Sequence, residues 1–408
     1  MSPSSPALTG EKPRFLRMAI VLGLVTAVGP FAIDMYLPAM PSMGVALNAS
    51  PTAVQMSLMI FFVTIGACQL VYGPLSDILG RKIPIYGGLC IFTLGSIGCA
   101  LAPNIQVLLF FRVVQALGAC AGMVIPRAVV RDLYTGADAT KLMSLLMLVM
   151  SVSPLLAPLT GSIILAHWDW LAVFATLTIA AAVAFLLTAT QLKETRPKEL
   201  RQGASWGGAF LAYLELLRDP IFVGLSFVSG FAMATFFVYL GSASFVFINH
   251  FGLTPTEFSL CFAINAASFF GFTQMTAMMT RKFGLVGVIR VGVTGFAVAM
   301  VGLGALTLAG VDSLPVMMVF IFVAFGFLGL VLPTTAVLSL ENHGAIAGTA
   351  SALLGALQMV TGAGVSAVAG IFFDGSAEPM ILALTFCAVA AFSLATAILG
   401  RVKGPKTA

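Results

Sequence analysis

Long apolar runs, each cut off by a short polar stretch, set the pattern of this chain. Apolar segments almost free of charge, near 17–38, 54–74, 83–102, 105–127, 141–165, 169–190, 220–247, 257–280, 286–309, 315–339, 346–370 and 378–400, predict twelve helices. Each run holds about 20 residues or more, enough to cross ~30 Å of hydrocarbon at ~1.5 Å per residue. The polar stretches test that count. Lys12, Arg14 and Arg17 precede the first span, and Arg401, Lys403 and Lys406 follow the last. Between them, Arg81 and Lys82, then Arg127, Arg131 and Lys141, then Lys193, Arg196, Lys198, Arg201 and Arg218, then Arg281, Lys282 and Arg290 fall at alternate connections, those after the second, fourth, sixth and eighth spans. With twelve spans all of these lie on one side, which the positive-inside rule makes cytoplasmic. The opposite side carries acids such as Asp169, Asp312, Asp374 and Glu378 and no Lys or Arg. A different span count would scramble this segregation. The expected fold is an all-α polytopic membrane protein of twelve transmembrane helices with both termini cytoplasmic.

The longest hydrophilic segment, Gln191–Asp219, divides the spans into six and six. This predicts residues 1–190 as an N-terminal tail and six-helix bundle, 191–219 as a cytoplasmic central loop, and 220–408 as a C-terminal bundle and tail. The halves repeat weakly. GMVIPRAVV (Gly122–Val130) matches GLVLPTTAV (Gly329–Val337), and Arg81-Lys82 after the second span matches Arg281-Lys282 after the eighth. Two pseudo-symmetric six-helix bundles around a central cavity, with a binding site near the midplane, are a transporter architecture.

Composition narrows the class further. The 408 residues are 60% hydrophobic and only 9% charged, with a mean hydropathy of +1.06. A water-soluble domain needs a mostly polar shell, so a polytopic membrane protein is the class that fits. The net charge of +5 is accounted for by topology and does not point to nucleic acid. Cys68, Cys90, Cys99, Cys120, Cys261 and Cys387 all lie in apolar runs without C-x-x-C spacing, and read as small packing residues. His167, His250 and His343 are too dispersed for a metal site. No H-E-x-x-H, G-x-S-x-G or phosphate-cradling loop is present, so the chain is not expected to be an enzyme. The tail Met1–Arg17 is polar and basic, and reads as a cytosolic tail before a retained first helix.

Two charges break the apolar pattern: Asp34 in the first span, within GPFAIDMYLPAMP (Gly29–Pro41), and Arg112 in the fourth. Lipid makes an ionised side chain costly, so a carboxylate there faces a polar interior or carries a proton. If the first span runs outward to residue 38, Asp34 lies one turn below the outer end, ~6 Å deep. The fourth span, running inward from Ile105, places Arg112 ~10 Å deep on the same side. Burial alone keeps a proton on Asp34, whereas a neighbouring Arg112 drives it off, so a changing separation would couple conformation to protonation. A static ion pair between two helices, and a simple helix-end role for Asp34, remain open alternatives.

The most specific motif is Gly73-Pro-Leu-Ser-Asp77-Ile-Leu-Gly80-Arg81-Lys82, read as a short loop between the second and third spans. Its glycines permit a tight turn, Asp77 can meet a helix N-terminus, and the cations can reach an acid on a neighbouring helix. This decapeptide resembles the loop 2–3 signature of the major facilitator superfamily, G-x-L-x-D-x-x-G-R-[KR]. Arg112-Val-Val-Gln115-Ala-Leu-Gly118 is similar to that family's R-x-x-Q-x-x-G motif. Ser153-Pro154-Leu-Leu-Ala-Pro158-Leu-Thr-Gly161 resembles its fifth-helix antiporter motif, with Ser153 and Thr160-Gly161 departing from the usual glycines. Asp169 stands where the family often has Arg. DMYLPAMP, RAVVRDLY and AGTASALLGALQ are similar to the bicyclomycin/chloramphenicol resistance (Bcr/CflA) subfamily of drug:proton antiporters. The likeness covers all twelve spans.

The cavity is read from scattered residues. The amides Gln55, Gln69, Gln115, Asn265, Gln274 and Gln358 lie in or at the ends of spans, and several are expected to face it. Phe31, Tyr36, Phe231, Phe236, Phe237 and Tyr239 are candidates for an aromatic wall, although most of the 33 phenylalanines should face lipid. Candidate substrate contacts are Tyr36, Gln115, Phe231, Asn265 and Gln358. Pro126, Pro154, Pro158 and Pro333 sit inside spans, as hinges or as packing irregularities. Gly118 and Gly122 permit close helix contact. The expected function is export of small amphipathic drugs across the bacterial inner membrane by alternating access. No cofactor is expected: the proton gradient supplies the energy, and Asp34 and Arg112 couple it. The expected partners are substrate, protons and lipid, around a monomer. A metabolite exporter or importer on the same fold is the alternative. A non-transporting receptor would call for a soluble domain or long external loops, which the pattern lacks.

Overall fold

The structure, a computed structural model, describes residues 11–201, 206–341, 343 and 346–400. The predicted tail cations Arg401, Lys403 and Lys406, and tail residues 1–10, lie outside the described residues. Among the described residues every regular element is helical: α1 (Glu11–Asp34), α2 (Met40–Ala46), α3 (Pro51–Leu79), α4 (Lys82–Ala100), α5 (Ile105–Leu133), α6 (Gly136–His167), α7 (Trp170–Gln191), α8 (Trp206–Arg218), α9 (Pro220–Phe245), α10 (Pro255–Leu308), α11 (Leu314–Leu340), α12 (Ala347–Ile371) and α13 (Glu378–Leu399), with short turns between. Among the described residues, eleven helical stretches are long and apolar enough to cross a membrane. The twelve predicted spans are reconciled with that number by α10, which holds both the eighth and the ninth. Its 54 residues are too long for one crossing, and Gly284 breaks it into two arms with φ +70°, ψ 165°.

Local sequence sets the helix starts. Ser50, Asn104, Asp169 and Asp219 each accept a hydrogen bond from the first turn of the helix that follows. Thr254 and Glu257 form a reciprocal capping box ahead of α10, with Pro255 in its first turn.

Three predicted boundaries are corrected. The first span runs past residue 38, to Ala46, but not as one α-helix: α1 ends at Asp34, and a 3-10 turn (Leu37–Ala39) and α2 carry the span on. The ring of Pro38 would strike the carbonyl four residues earlier, that of Asp34, so the α-helix cannot pass this point. The motif Gly73–Lys82 is not a loop: α3 runs to Leu79, and only Gly80, at φ +90°, makes the turn into α4. The central segment 191–219 is not wholly a hydrophilic loop, because Trp206–Arg218 folds as α8. Leu216 is buried against Phe222, Ala350, Leu353 and Leu354, while Phe210, Leu211, Leu214 and Leu217 are exposed. Its apolar residues hide among charges, which is why the segment reads as hydrophilic.

Helices from the two predicted halves meet along two seams. Along the first, α3 lies close to α12 for most of its length. Thr52 Oγ1 donates to the Gly370 carbonyl (2.9 Å) at the acidic end, where Asp312, Asp374 and Glu378 lie. Gly66 faces Met359, Gly355 faces Gln69, and the Phe62 and Phe237 rings stack at 3.6 Å. Along the second seam α6 meets α10, and Ser259 Oγ donates to the Pro158 carbonyl (3.0 Å), again near the acidic end.

Candidate functional site

Asp34 is the last residue of α1 and is 3% exposed, beneath a turn in which Met35, Tyr36, Leu37, Ala39 and Met40 are all buried. Its Oδ1 has no hydrogen-bond partner. The close approach of α6 shapes this turn: a Cβ on Gly161 would overlap the Met35 carbonyl oxygen and press on Pro38. Pro158, one turn away on α6, accepts the bond from Ser259 of α10. The Asp34 turn is thus linked through the α6 motif to the other half of the chain.

Arg112 on α5 is fully buried. No ion pair joins it to Asp34; among the described residues its partners are neutral. Nη1 donates to the Gln115 amide oxygen (2.6 Å) and to the Ala32 carbonyl (3.1 Å), and Nε to the Ser57 carbonyl (3.3 Å). The guanidinium lies over the Phe61 ring at 4.2 Å and the Tyr36 ring at 4.5 Å, contacts that favour a cation electrostatically. Tyr36 OH bonds to Ser57 Oγ (3.1 Å), and Gln115 Nε2 donates to Ser96 Oγ (2.8 Å). Arg112, Tyr36, Gln115, Ser57 and Ser96 therefore form one buried polar network across α1, α3, α4 and α5. One nitrogen, Nη2, is left without a partner.

The structure does not gather the predicted substrate contacts into one open cavity. Tyr36 and Gln115 belong to the Arg112 network. Asn265 is buried on α10, donating to Tyr239 OH (2.9 Å), and its Oδ1 is unpartnered. Phe231 is half-buried and meets Phe386 of α13 edge-on. Gln358 is half-buried on α12. Gln274 lines an open cleft between α6 and α10. Gln55 is fully buried at the α3–α12 seam, beside Gly370, with both amide atoms unpartnered.

At the cationic end, Arg81 joins three elements. Its Nη1 bonds Asp77 (2.8 Å) and Ser76 Oγ (2.7 Å), and its Nε bonds Asp132 of α5 (2.8 Å). The expectation that a cation here reaches an acid on a neighbouring helix holds for Arg81, whereas Lys82 lies over the Tyr86 ring. Asp77 pairs with Arg81 and with Arg196 (3.1 Å) rather than with a helix N-terminus. That place is taken by Glu194, which sequence reasoning missed. Its carboxylate accepts from the backbone of Arg81 (2.8 Å) and Lys82 (3.2 Å) at the start of α4, and from Thr195 and Arg196 in its own segment. Partial burial pushes the Glu194 carboxyl up, but these N–H donors and the Arg201 guanidinium outweigh it and hold the group below its ordinary value. A charged residue just beyond a span looks like any solvated loop position; only the nearby helix start at Lys82 offered a signal.

A protein with eleven membrane-length apolar helical stretches among its described residues, a buried polar network joining four helices and a charge cluster at one end has the make-up of a multi-pass transporter. The chain belongs to the Major Facilitator Superfamily, whose profile matches residues 22–369. It is 36% identical over 371 residues to an uncharacterized MFS-type transporter, YdgK, of Bacillus subtilis, covering 90% of this chain and 91% of that one. It is 30% identical over 400 residues to a chloramphenicol resistance protein of Pseudomonas aeruginosa, covering 95% and 91%. The crystal structure of a D-xylose-proton symporter shares the fold, with a TM-score of 0.73 at 18% identity over 96% of this chain and 98% of that one. The protein is a transporter of the bacterial inner membrane, and its motifs resemble the Bcr/CflA drug:proton antiporters.

Proposed function

We propose that this protein is a proton-coupled antiporter that exports small amphipathic drugs from the cytoplasm by alternating access. The two halves act as pseudo-symmetric six-helix bundles, and the cationic end, with both termini, faces the cytoplasm. The observation that carries this reading is Asp34: a carboxyl buried at the end of a membrane helix, with Oδ1 unpartnered and no cation paired to it. Such a group costs least when protonated. When the halves rock and the Asp34 turn moves, access to water on one side or approach of Arg112 releases the proton, and the same movement exchanges the open face for substrate. The conformation supports this assignment, since the acidic end is closed by the Thr52–Gly370 and Ser259–Pro158 bonds. Resistance proteins among the relatives favour a drug over a metabolite as cargo. The test is Asp34→Asn, a mimic of the neutral acid, in an efflux-deficient host and in proteoliposomes with an imposed pH gradient. The variant is expected to fold and to lose proton-driven export; full export by a folded Asp34→Asn would overturn the assignment.

A further inference from the structure

The first seam carries an amide toward each end. Gln55 and Gln69 both lie on α3, ~21 Å apart along the helix at ~1.5 Å per residue. Each is laid against a glycine of α12. A Cβ on Gly370 would come within 2.9 Å of Gln55 Oε1, and one on Gly355 would overlap the Gln69 amide. Gly241 of α9 completes the Gln55 socket, where the Met59 Cε methyl lies 3.8 Å from the Cβ position of either glycine. Between the two amides, Phe62 of α3 stacks on Phe237 of α9. An amide from one half of the chain is thus set into a gap that the other half leaves, once on each side of an aromatic contact.

The two sockets differ in their access to water. Gln69 is half-buried. Gln55 is fully buried, and among the described residues neither its Nε2 nor its Oε1 has a partner. Polar groups nearby are engaged elsewhere. The Gly370 carbonyl accepts from Thr52, one turn away on α3, and Ser366 donates to the Phe237 carbonyl (3.2 Å). Ser244, one turn beyond Gly241 on α9, is also buried with its hydroxyl unpartnered.

A carboxamide cannot escape burial by taking up or losing a proton. Sealed without partners, it carries the full cost of its lost hydration. For Gln55 that cost exists only while the acidic end is shut, because parting α3 from α12 there admits water to the amide. The Thr52–Gly370 bond pulls the same end together. Closure is therefore both fastened and opposed within one turn of α3.

We infer that Gln55 and Gln69 are opposed conformational weights. Whichever end of the α3–α12 seam is shut seals one unmet amide, which disfavours that closure and keeps the two forms close in free energy. As the seam rocks about Phe62 and Phe237, Gln55 is released to water and Gln69 is sealed against Gly355. Neither amide needs to touch cargo or proton; both act through the seam. The consequence for turnover rests on the alternating-access reading above, whereas the bias itself does not.

The test uses the full chain in nanodiscs, with spin labels at Asn48 and Glu378 reporting the acidic end. Gln55→Met, similar in shape but unable to miss a hydrogen bond, should raise the closed-to-open ratio about tenfold, the scale of one unsatisfied buried polar group. Gln69→Met should lower the same ratio several-fold. Gln55→Asn, which keeps the amide, should leave it close to that of the parent. Thermal unfolding should find Gln55→Met at least as stable as the parent, so loss of the fold in that variant would count against the inference. Shifts of one sign in both methionine variants, no shift in either, or equal shifts in Gln55→Asn and Gln55→Met would overturn it. In proteoliposomes with an imposed pH gradient, Gln55→Met should lower both the turnover and the drug concentration giving half-maximal export, a split that a merely weakened protein does not show. Opposed distance shifts in a protein whose Asp34→Asn form exports drugs normally would uphold the bias and overturn only the antiport assignment.

Discussion

Glu194 should hold the segment after α7 onto the turn between α3 and α4, and its removal should be measurable there. The carboxylate accepts four backbone N–H bonds, two of them from the start of α4, and lies 3.6 Å from Arg201. Losing a helix cap costs about 1 kcal/mol. The two bonds within the segment add about 1 kcal/mol each, reduced because the side chain is 28% exposed and water replaces part of them. The total is about 2–3 kcal/mol, a roughly 30- to 150-fold rise in the open population. Hydrogen exchange of the full chain in nanodiscs should show Glu194→Ala accelerating the amides of Arg81, Lys82, Thr195 and Arg196 by that factor. Glu194→Gln, which keeps one acceptor, should fall between. The pH dependence follows from the lowered value of this carboxyl. Its contribution is fully present above about 4.5, the ordinary value, and is lost as pH falls through the lower folded value. Spin-label distances between segment 193–201 and α5 should therefore lengthen only in acid below that point. Exchange rates changed less than twofold in Glu194→Ala would refute the clasp.

Arg81→Lys should destabilise the purified protein by about 1–3 kcal/mol, since one ammonium cannot span Asp77, Ser76 and Asp132 as the guanidinium does; an unchanged thermal unfolding midpoint would refute that. Gly161→Ala should strain the approach to Met35 by about 1–3 kcal/mol and shift the population toward a form open at the acidic end. Longer distances between spin labels at Asn48 and Glu378 would report it, and unchanged distances would show that α6 yields without opening.

Most of the spans were legible because lipid imposes length and excludes charge, and because the cations sort onto one side. The break in α10 was legible for the same reason: Arg281 and Lys282 interrupt an apolar run that the backbone itself continues as helix up to Gly284. The end of α1 was misread, although Pro38 and Pro41 were in view, because apolarity continues past Asp34 and hydropathy does not register a lost carbonyl partner. α8 was missed for the opposite reason, its apolar residues being diluted by neighbouring charges. Asp34 and Arg112 stood out by rarity, but rarity does not fix a partner. The guanidinium finds carbonyls, an amide and two aromatic rings, groups that carry no signature in an apolar sequence.

The separation of Asp34 from Arg112 sharpens the coupling argument. A permanent ion pair would lock both charges and leave the carboxyl insensitive to movement elsewhere. Instead Arg112 is held by neutral partners, with Nη2 to spare, and Asp34 sits on a turn pinned by Gly161 of the helix that also contacts α10. The same helix bounds the open cleft against α10 at its other end. A movement of α6 that turned about Pro154 and Pro158 would shift its contact at Met35. Under the antiport proposal, the Asp34 turn and the cleft between α6 and α10 are in this way contacted by two ends of one helix, α6. Coupling between them needs no direct contact between proton and cargo, only that α6 cannot hold both positions at once.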